Sequence, residues 1–487
     1  MKEYPQNEMW GKCGKENRKT LVECTLRGFL VPGAGIEPAR IAPLVFETSA
    51  STDSAIRANR RLDLLVEECK GIGIFGICKI FVAMVGTNMY ICEIIVEYME
   101  HIDIFQGGVS VSRVISGNGL SLKSDLGKGL EPYKHVFVVA DRQVVNASRV
   151  VSDLVHEFLA KEVPVKVLDV SESLKTMDTV LDICSWLLEQ GADRDALVVA
   201  VGGGITTDMT GFAASIYKRG VRYANVPTTL LAQVDAALGG KTGVNHDKYK
   251  NILGVICQPE FTYLCPQVLD SLPRRDFLSG AAEMLKTFII EDGGNYQKAA
   301  DMFFDMASEF TLEVMLHGKA EDKVWQSILQ KHRKTLSDMI SAAARVKAGV
   351  VSRDQFEKGE RRKLNLGHTF AHAIETLAHR DGGERYQDGG VTHGEAVAAG
   401  MVLAGRLADK YFRKDKNEIT ALEGKLSNDL WDSGIPCFCP YSPSEMAEAM
   451  KKDKKAEGGK VHFVLPREVG KVDIVDLTVD EVVELLK

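Results

Sequence analysis

From Lys134 onward, short apolar runs alternate with stretches whose apolar positions recur every three to four residues. "HVFVVAD" reads as a strand, "SRVVSDLVHEFLAKE" as an amphipathic helix, "VPVKVLDV" as a strand, "MDTVLDICSWLLEQG" as a helix and "ALVVAV" as a strand. This βαβ rhythm predicts a largely parallel sheet with helices on its faces. After "DSLPRRDF" the strands give way to long helical stretches, which places a domain boundary close to Ser271. The organisation expected is therefore a sheet-and-helix domain over 99–270 and a helical domain over 271–487.

The first 98 residues break this pattern. Their periodicity is poor, and they hold five of the ten cysteines but none of the eleven histidines. "GFLVPGAGIEPARIAPLVFETSASTDSAIRAN", residues 28–59, resembles a transfer-RNA gene translated on the wrong strand. The expectation is that 1–98 form no native domain and that Met99 is the natural start; a genuine extension is the alternative. No secretory signal opens the chain, because residues 1–20 are polar. The apolar run from Gly71 to Val96 is interrupted by Lys79 and Glu93, too early to span a bilayer.

Composition narrows the function classes. The 487 residues, 45% hydrophobic and 26% charged, suit a globular protein of two or three domains. A net charge of −7 gives no reason to expect nucleic acid or an anionic membrane as partner. The cysteines show neither scaffold density nor paired zinc spacing, which suits a reducing cytoplasm, and Cys437 and Cys439 read as packing residues.

Candidate chemistry begins right after the last strand, in "GGGITTDMTGFAAS". Gly202, Gly203 and Gly204 let the backbone approach a pyrophosphate held at the following helix end, although a tight turn without a ligand explains them as well. "NVPTTLLAQVDAALGGKTGVNHDKYKN" adds a Pro-Thr-Thr turn, Asp235, Lys241 after two glycines, and the pair Lys250 and Asn251. Ammonium and amide donors on such turns suit a phosphorylated ligand. In "LSGAAEMLKTFII", Glu283 and Lys286 share a helix face, and in "VTHGEAVAAGM" His393 stands at a helix start. "RRKLNLGHTFAHAIETL" sets His368 and His372 four apart behind a glycine. Glu283, His368 and His393 could form a three-ligand site for Zn²⁺, Co²⁺ or Mn²⁺ with one position open, but their spacing alone does not separate ligands from packing residues.

These long motifs, in this order over Met99 to Lys487, resemble the 3-dehydroquinate synthase family of sugar phosphate cyclases. The resemblance implies an α/β chain with an N-terminal Rossmann-like nucleotide-binding domain followed by an all-helical metal-binding domain. It implies Glu283, His368 and His393 as zinc ligands, and NAD contacts at Glu172, Lys175, Gly202, Gly203, Gly204, Asp208, Thr228 and Thr229. Asp235, Lys241, Lys250, Asn251, Lys286, Lys347, Arg361, Asn365 and His372 fall at positions that line the substrate pocket, with Lys241 and Lys250 also counted among the cofactor contacts. Arg219 falls where the family donates an arginine from the neighbouring subunit, implying a homodimer, and Lys454 or Lys455 falls on a late lysine loop. Ser171 departs from the family, which has glycine before the glutamate.

The activity implied is conversion of 3-deoxy-D-arabino-heptulosonate 7-phosphate to 3-dehydroquinate and phosphate, through transient oxidation by NAD, phosphate elimination, re-reduction and aldol closure. A substrate with both phosphate and carboxylate accounts for local cations in an acidic chain. Arg361 with Lys347 would address the carboxylate, and Lys241, Asn251 and His372 the phosphate. His372, Lys286 and Asn251 would also orient groups and relay protons. Other sugar phosphate cyclases, metal-dependent alcohol or glycerol dehydrogenases, and a non-catalytic NAD-binding protein are the rival readings.

Overall fold

A computed structural model describes residues 76–85, 88–98, 101–117, 119–247, 249–386, 390–412, 422–453 and 460–486. The stretch 28–59, Met99, Lys454 and Lys455 lie outside the described residues. The chain divides into two compact units, Met1–Tyr98 and Met99–Lys487. In the first, β1 (Gly76–Val85) pairs antiparallel with β2 (Asn88–Tyr98). Among the described residues, no helix is long and apolar enough to cross a membrane.

The second unit opens with an antiparallel pair, β3 (His101–Gln106) and β4 (Val109–Ser116), at one edge of a seven-stranded sheet. The remaining strands, β5 (Val136–Asp141), β6 (Val165–Leu168), β7 (Leu197–Gly202), β8 (Arg222–Pro227) and β11 (Phe261–Leu264), complete the order β3-β4-β11-β8-β7-β5-β6. All pairings from β4 to β6 are parallel. A separate hairpin, β9 (Lys241–His246) with β10 (Tyr249–Ile256), projects between β8 and β11 in sequence.

The apolar strands are explained by burial on both faces. Val138 and Ala140 of β5 join one core with Val151, Leu154 and Phe158 of a helix, while Phe137 and Val139 join a second core with Ile183, Leu187, Met209 and Phe212. Each of these Val, Leu, Ile, Met and Phe side chains contributes roughly 1.5–3 kcal/mol when fully buried. The helices are α1 (Asp125–Leu130), α2 (Arg142–Ala147), α3 (Arg149–Ala160), α4 (Met177–Glu189) and α5 (Gly204–Ile216). Strand order reverses between β5 and β7, so the ends of these two strands frame the crevice where open α/β sheets bind ligands.

Helices dominate from Arg274: α6 (Arg274–Glu291), α7 (Gly293–Thr311), α8 (Glu321–Arg353), α9 (His368–Arg380), α10 (His393–Phe412), α11 (Leu422–Asp432), α12 (Pro443–Asp453) and α13 (Val479–Leu486). Every residue of α6 from Phe277 to Ile290 is buried, because α7, α8 and α10 surround it. The helical half also holds strands, which the expectation of an all-helical domain did not include: β12 (Val461–Glu468) pairs antiparallel with β13 (Lys471–Leu477). This hairpin packs on α6 and α10.

Candidate active site

Three helices meet where the sequence placed its metal trio. Glu283 lies mid-α6, and His368 and His393 are the first residues of α9 and α10. Two glycines let the helices approach this closely. Gly367, at φ +77°, lies so near α10 that an added Cβ would stand 2.9 Å from the Met401 nitrogen. A Cβ at Gly394 would stand 2.3 Å from the Ser279 backbone of α6, and the Gly394 N–H donates to Ser279 Oγ at 2.9 Å. One ligand atom each from Glu283, His368 and His393 consequently lies within 4.8 Å of the others. His393 Nε2 is 3.3 Å and His368 Nε2 3.8 Å from Glu283 Oε1.

The donor set fits a divalent cation. The Glu283 carboxylate is wholly buried, and although Lys286 and both imidazoles are within ion-pair reach, neither oxygen accepts a well-formed hydrogen bond. Its charge is met by Lys286 and the imidazoles, while its remaining lone pairs are free to coordinate a cation. Each imidazole is backed on its far nitrogen: His368 Nδ1 lies 3.2 Å from Leu366 O, and His393 Nδ1 3.4 Å from Glu375 Oε1. This arrangement turns both Nε2 lone pairs toward Glu283. Burial opposes ionisation of Glu283, but Lys286 outweighs it and holds the carboxyl at about 2. Burial, reinforced by Lys286, pushes His368 down to about 3, whereas Glu283 and Glu375 overcome burial to lift His393 to about 10. Binding a cation here requires His393 Nε2 in its neutral, lone-pair form, so metal binding at this site is coupled to proton release. His372 stays outside this trio, edge-on to His368 at 5.7 Å between ring centres.

Beside the trio sits a layer of ammonium groups. Lys286 Nζ pairs with Glu283 and lies 3.5 Å from Asp235 Oδ2. Lys347 Nζ pairs with the Asp235 carboxylate and donates to the Asp235 carbonyl at 2.6 Å. Burial alone would raise Asp235, yet Lys286 and Lys347 hold it well below the usual carboxylate range. Burial lowers Lys347 to about 8 despite that partner. Arg361 is also buried, but it does not present an open fork: Nη2 donates to Gly239 O at 2.8 Å and Nη1 to Gln355 O. As placed, it orders the turn that leads into Lys241.

Glu357 joins this layer without having been singled out in the sequence. It pairs with Lys241, accepts from Asn365 Nδ2 at 2.8 Å, and takes a left-handed backbone at φ +57°. Glu375 was likewise missed; besides backing His393 it lies 3.4 Å from Lys250 Nζ, and although burial opposes its charge, His393 and Lys250 hold it at about 2.

The residues expected to contact the nucleotide gather at the strand reversal. Ala140 pairs with Val201, so Asp141 and Gly202 stand side by side at the strand ends; Asp141 is a third residue not singled out. The Thr228 N–H donates to Gly202 O at 2.9 Å, joining the Pro-Thr-Thr turn to the glycine turn, and Gly203 faces Thr229. The hydroxyls of Thr206 and Thr228 are buried without a partner, as a site for a polar ligand requires. Lys175 Nζ donates to Asp208 Oδ2 at 2.6 Å and Asn251 Oδ1 at 2.5 Å, and burial raises Asp208 to about 6 against that pull. Glu172 accepts from Asn245 Nδ2 at 2.8 Å. Arg219 is not brought into the site of its own chain; it stands exposed where Lys218, Arg219 and Gly220 are all at positive φ.

Two family models match in tandem: the 3-dehydroquinate synthase N-terminal model over residues 165–279 and the C-terminal model over 280–456. The chain belongs to the 3-dehydroquinate synthase family. The 3-dehydroquinate synthase of Rippkaea orientalis is 36% identical over 367 residues, covering 74% of this chain and 91% of that protein. That of Acidithiobacillus ferrooxidans is 40% identical over 308 residues, covering 62% and 74%. Among solved structures, 2-epi-5-epi-valiolone synthase from Streptomyces hygroscopicus, with NAD⁺ and Zn²⁺ bound, is 27% identical with a TM-score of 0.61, covering 77% of this chain and 95% of that one. An iron-containing alcohol dehydrogenase at 15% identity and TM-score 0.50, covering 80% and 98%, shares the fold alone. The 3-dehydroquinate synthase models meet at 279/280, inside α6 and three residues before Glu283.

Proposed function

We propose that this chain converts 3-deoxy-D-arabino-heptulosonate 7-phosphate to 3-dehydroquinate and inorganic phosphate, using NAD and one divalent cation, as a phosphate lyase of aromatic amino acid biosynthesis. The observation that carries this reading is the convergence of Glu283, His368 and His393 on one point in a chain of this family. When bound, NAD accepts and returns one hydride, and the cation, zinc or alternatively cobalt or manganese, supplies Lewis acidity toward a substrate oxygen.

The chain's own residues do the rest. Asp208, Glu172, Lys175, Thr228, Thr229 and the Gly202–Gly204 turn hold the nucleotide at the strand reversal. Lys241, Asn251 and His372 receive the phosphate, while Lys347 and Asn365, with the turn that Arg361 orders, receive the carboxylate end. Lys286, between Glu283 and Asp235, fixes the charge balance and holds a proton next to the reacting oxygens. Lys250 lies with Glu375 at the margin of this pocket. Arg219, exposed on a left-handed turn, completes the phosphate site of a neighbouring copy, so the working form is a homodimer in the cytoplasm.

The deciding assay is phosphate release from the heptulosonate phosphate, with and without NAD and a chelator. One phosphate per 3-dehydroquinate is expected, without net NADH, lost on chelation and regained with Zn²⁺ or Co²⁺. Net NADH formation from a polyol would replace this reading with a dehydrogenase. Because both family models lie within 165–456, a chain beginning at Met99 is expected to keep wild-type turnover and solubility; an insoluble product would assign residues 1–98 a structural part. Glu375→Ala is expected to weaken Zn²⁺ binding by ~10–100-fold, the usual loss when a ligand histidine is deprived of its outer partner. Competition with a metal indicator measures it, and unchanged affinity would show that Glu375 serves only Lys250.

A further inference from the structure

The β9–β10 hairpin carries Lys241, Lys250 and Asn251, yet β10 is exposed along nearly its whole length, so burial does not hold it in register. Its pairing with β9 is interrupted between Tyr249 and Leu253, the stretch that contains Lys250 and Asn251, and Asn251 takes a left-handed backbone at φ +53°. A closed polar circuit holds this turn instead. Asn245 Oδ1 accepts from the Asn251 N–H at 2.8 Å, and Asn245 Nδ2 donates to Glu172 Oε1 at 2.8 Å. The Asn245 N–H donates to Lys175 O at 2.9 Å, and Lys175 Nζ returns to Asn251 Oδ1 at 2.5 Å while also reaching Asp208. Both arms of the circuit therefore end in the single turn Glu172–Lys175.

We propose that Asn245 is a positioning residue that ties the nucleotide-side turn Glu172–Lys175 to the substrate-side Asn251, so that nucleotide and phosphorylated substrate are held in register through its amide. This rests on the proposed function for the identity of the two ligands, whereas the circuit itself stands on the hydrogen bonds alone. The amide is suited to the task because it donates on one side and accepts on the other, which neither a carboxylate nor an apolar isostere does.

The test compares the holoenzyme with Asn245→Ala, Asn245→Asp and the double variant Asn245→Asp/Glu172→Gln. Asn245→Ala is expected to raise the KM for the heptulosonate phosphate and the Kd for NAD by about tenfold each, the scale of one or two lost hydrogen bonds, with a smaller change in kcat. Asn245→Asp sets two carboxylates against each other and is expected to behave alike. Adding Glu172→Gln re-forms the bond in the opposite sense and is expected to bring the substrate KM back to within about threefold of wild type. Substrate KM is the readout for recovery because Glu172 itself faces the nucleotide. A purely structural role would lower thermal midpoints and kcat together with no recovery in the double variant, and would overturn the proposal, as would unchanged KM and Kd in Asn245→Ala. If the wild type released no phosphate, the functional reading would fail, and calorimetric NAD binding to Asn245→Ala would still decide the circuit.

Discussion

His393→Ala is expected to lose its divalent cation and its turnover together while NAD binding survives. The imidazole reaches Glu283 Oε1 at 3.3 Å, and His368 is the sole other histidine within ligand distance of that carboxylate among the described residues. Two protein ligands hold zinc far less well than three, and His393→Ala also removes the group that Glu375 orients. Lewis acidity contributes several kcal/mol, so turnover should fall on the order of 10²–10⁴-fold. The groups proposed to hold the nucleotide, Glu172, Lys175, Asp208 and Thr228, sit on other elements and keep their hydrogen bonds, so NAD affinity should stay within about threefold. Metal content by emission spectroscopy, phosphate release and calorimetric NAD titration check the three parts separately. Full activity in a metal-free His393→Ala preparation would end the assignment.

Residue pattern alone left the trio open between ligands and packing residues, and the family resemblance made the assignment; the elements around it were legible to different degrees. The sheet was legible because both its faces are covered, which makes β5 and β7 continuous apolar runs. The helix start at His368 was marked by the glycine before it and that at His393 by the small-residue helix it opens, and the structure shows the physical reason: Gly367 and Gly394 are where helices touch backbone to backbone. Glu283 was harder, since an acid three residues before a lysine reads as a surface pair; only the packing of α6 on all sides shows that both charges are buried. Glu375 and Glu357 gave no usable signal. The first lies on α9 three residues past His372 and reads as a solvated helix face until α10 crosses beside it. The second stands in "DQFEKGERRK", a charged run in which an inward-turned carboxylate looks like any other. The β12–β13 hairpin was obscured by Pro466, which argues against a strand interior but is tolerated where pairing shifts between Pro466 and Glu468.

Lys286→Met should separate what His393→Ala removes jointly. Lys286 is 1% exposed and stands between Glu283, wholly buried, and Asp235. Removing the ammonium leaves two carboxylates facing each other with only Lys347 and the histidines to compensate, and breaking a buried pair in this way costs ~3–5 kcal/mol. For a chain of this size that is a fall in the metal-depleted thermal midpoint of about 5 °C. Zn²⁺ should recover more stability in Lys286→Met than in wild type, since the cation takes over neutralisation of Glu283 and no longer meets a competing positive charge. Metal affinity is therefore expected to hold or rise while turnover falls by ~10²–10⁴-fold, if, as proposed, Lys286 holds a proton beside the reacting oxygens. The two variants thus divide metal binding from chemistry: one loses both, the other only the second. A metal-depleted Lys286→Met protein that melts with wild type would show that this ammonium does not balance the buried carboxylates, and loss of zinc from it would show that Lys286 supports the ligand geometry and not the charge.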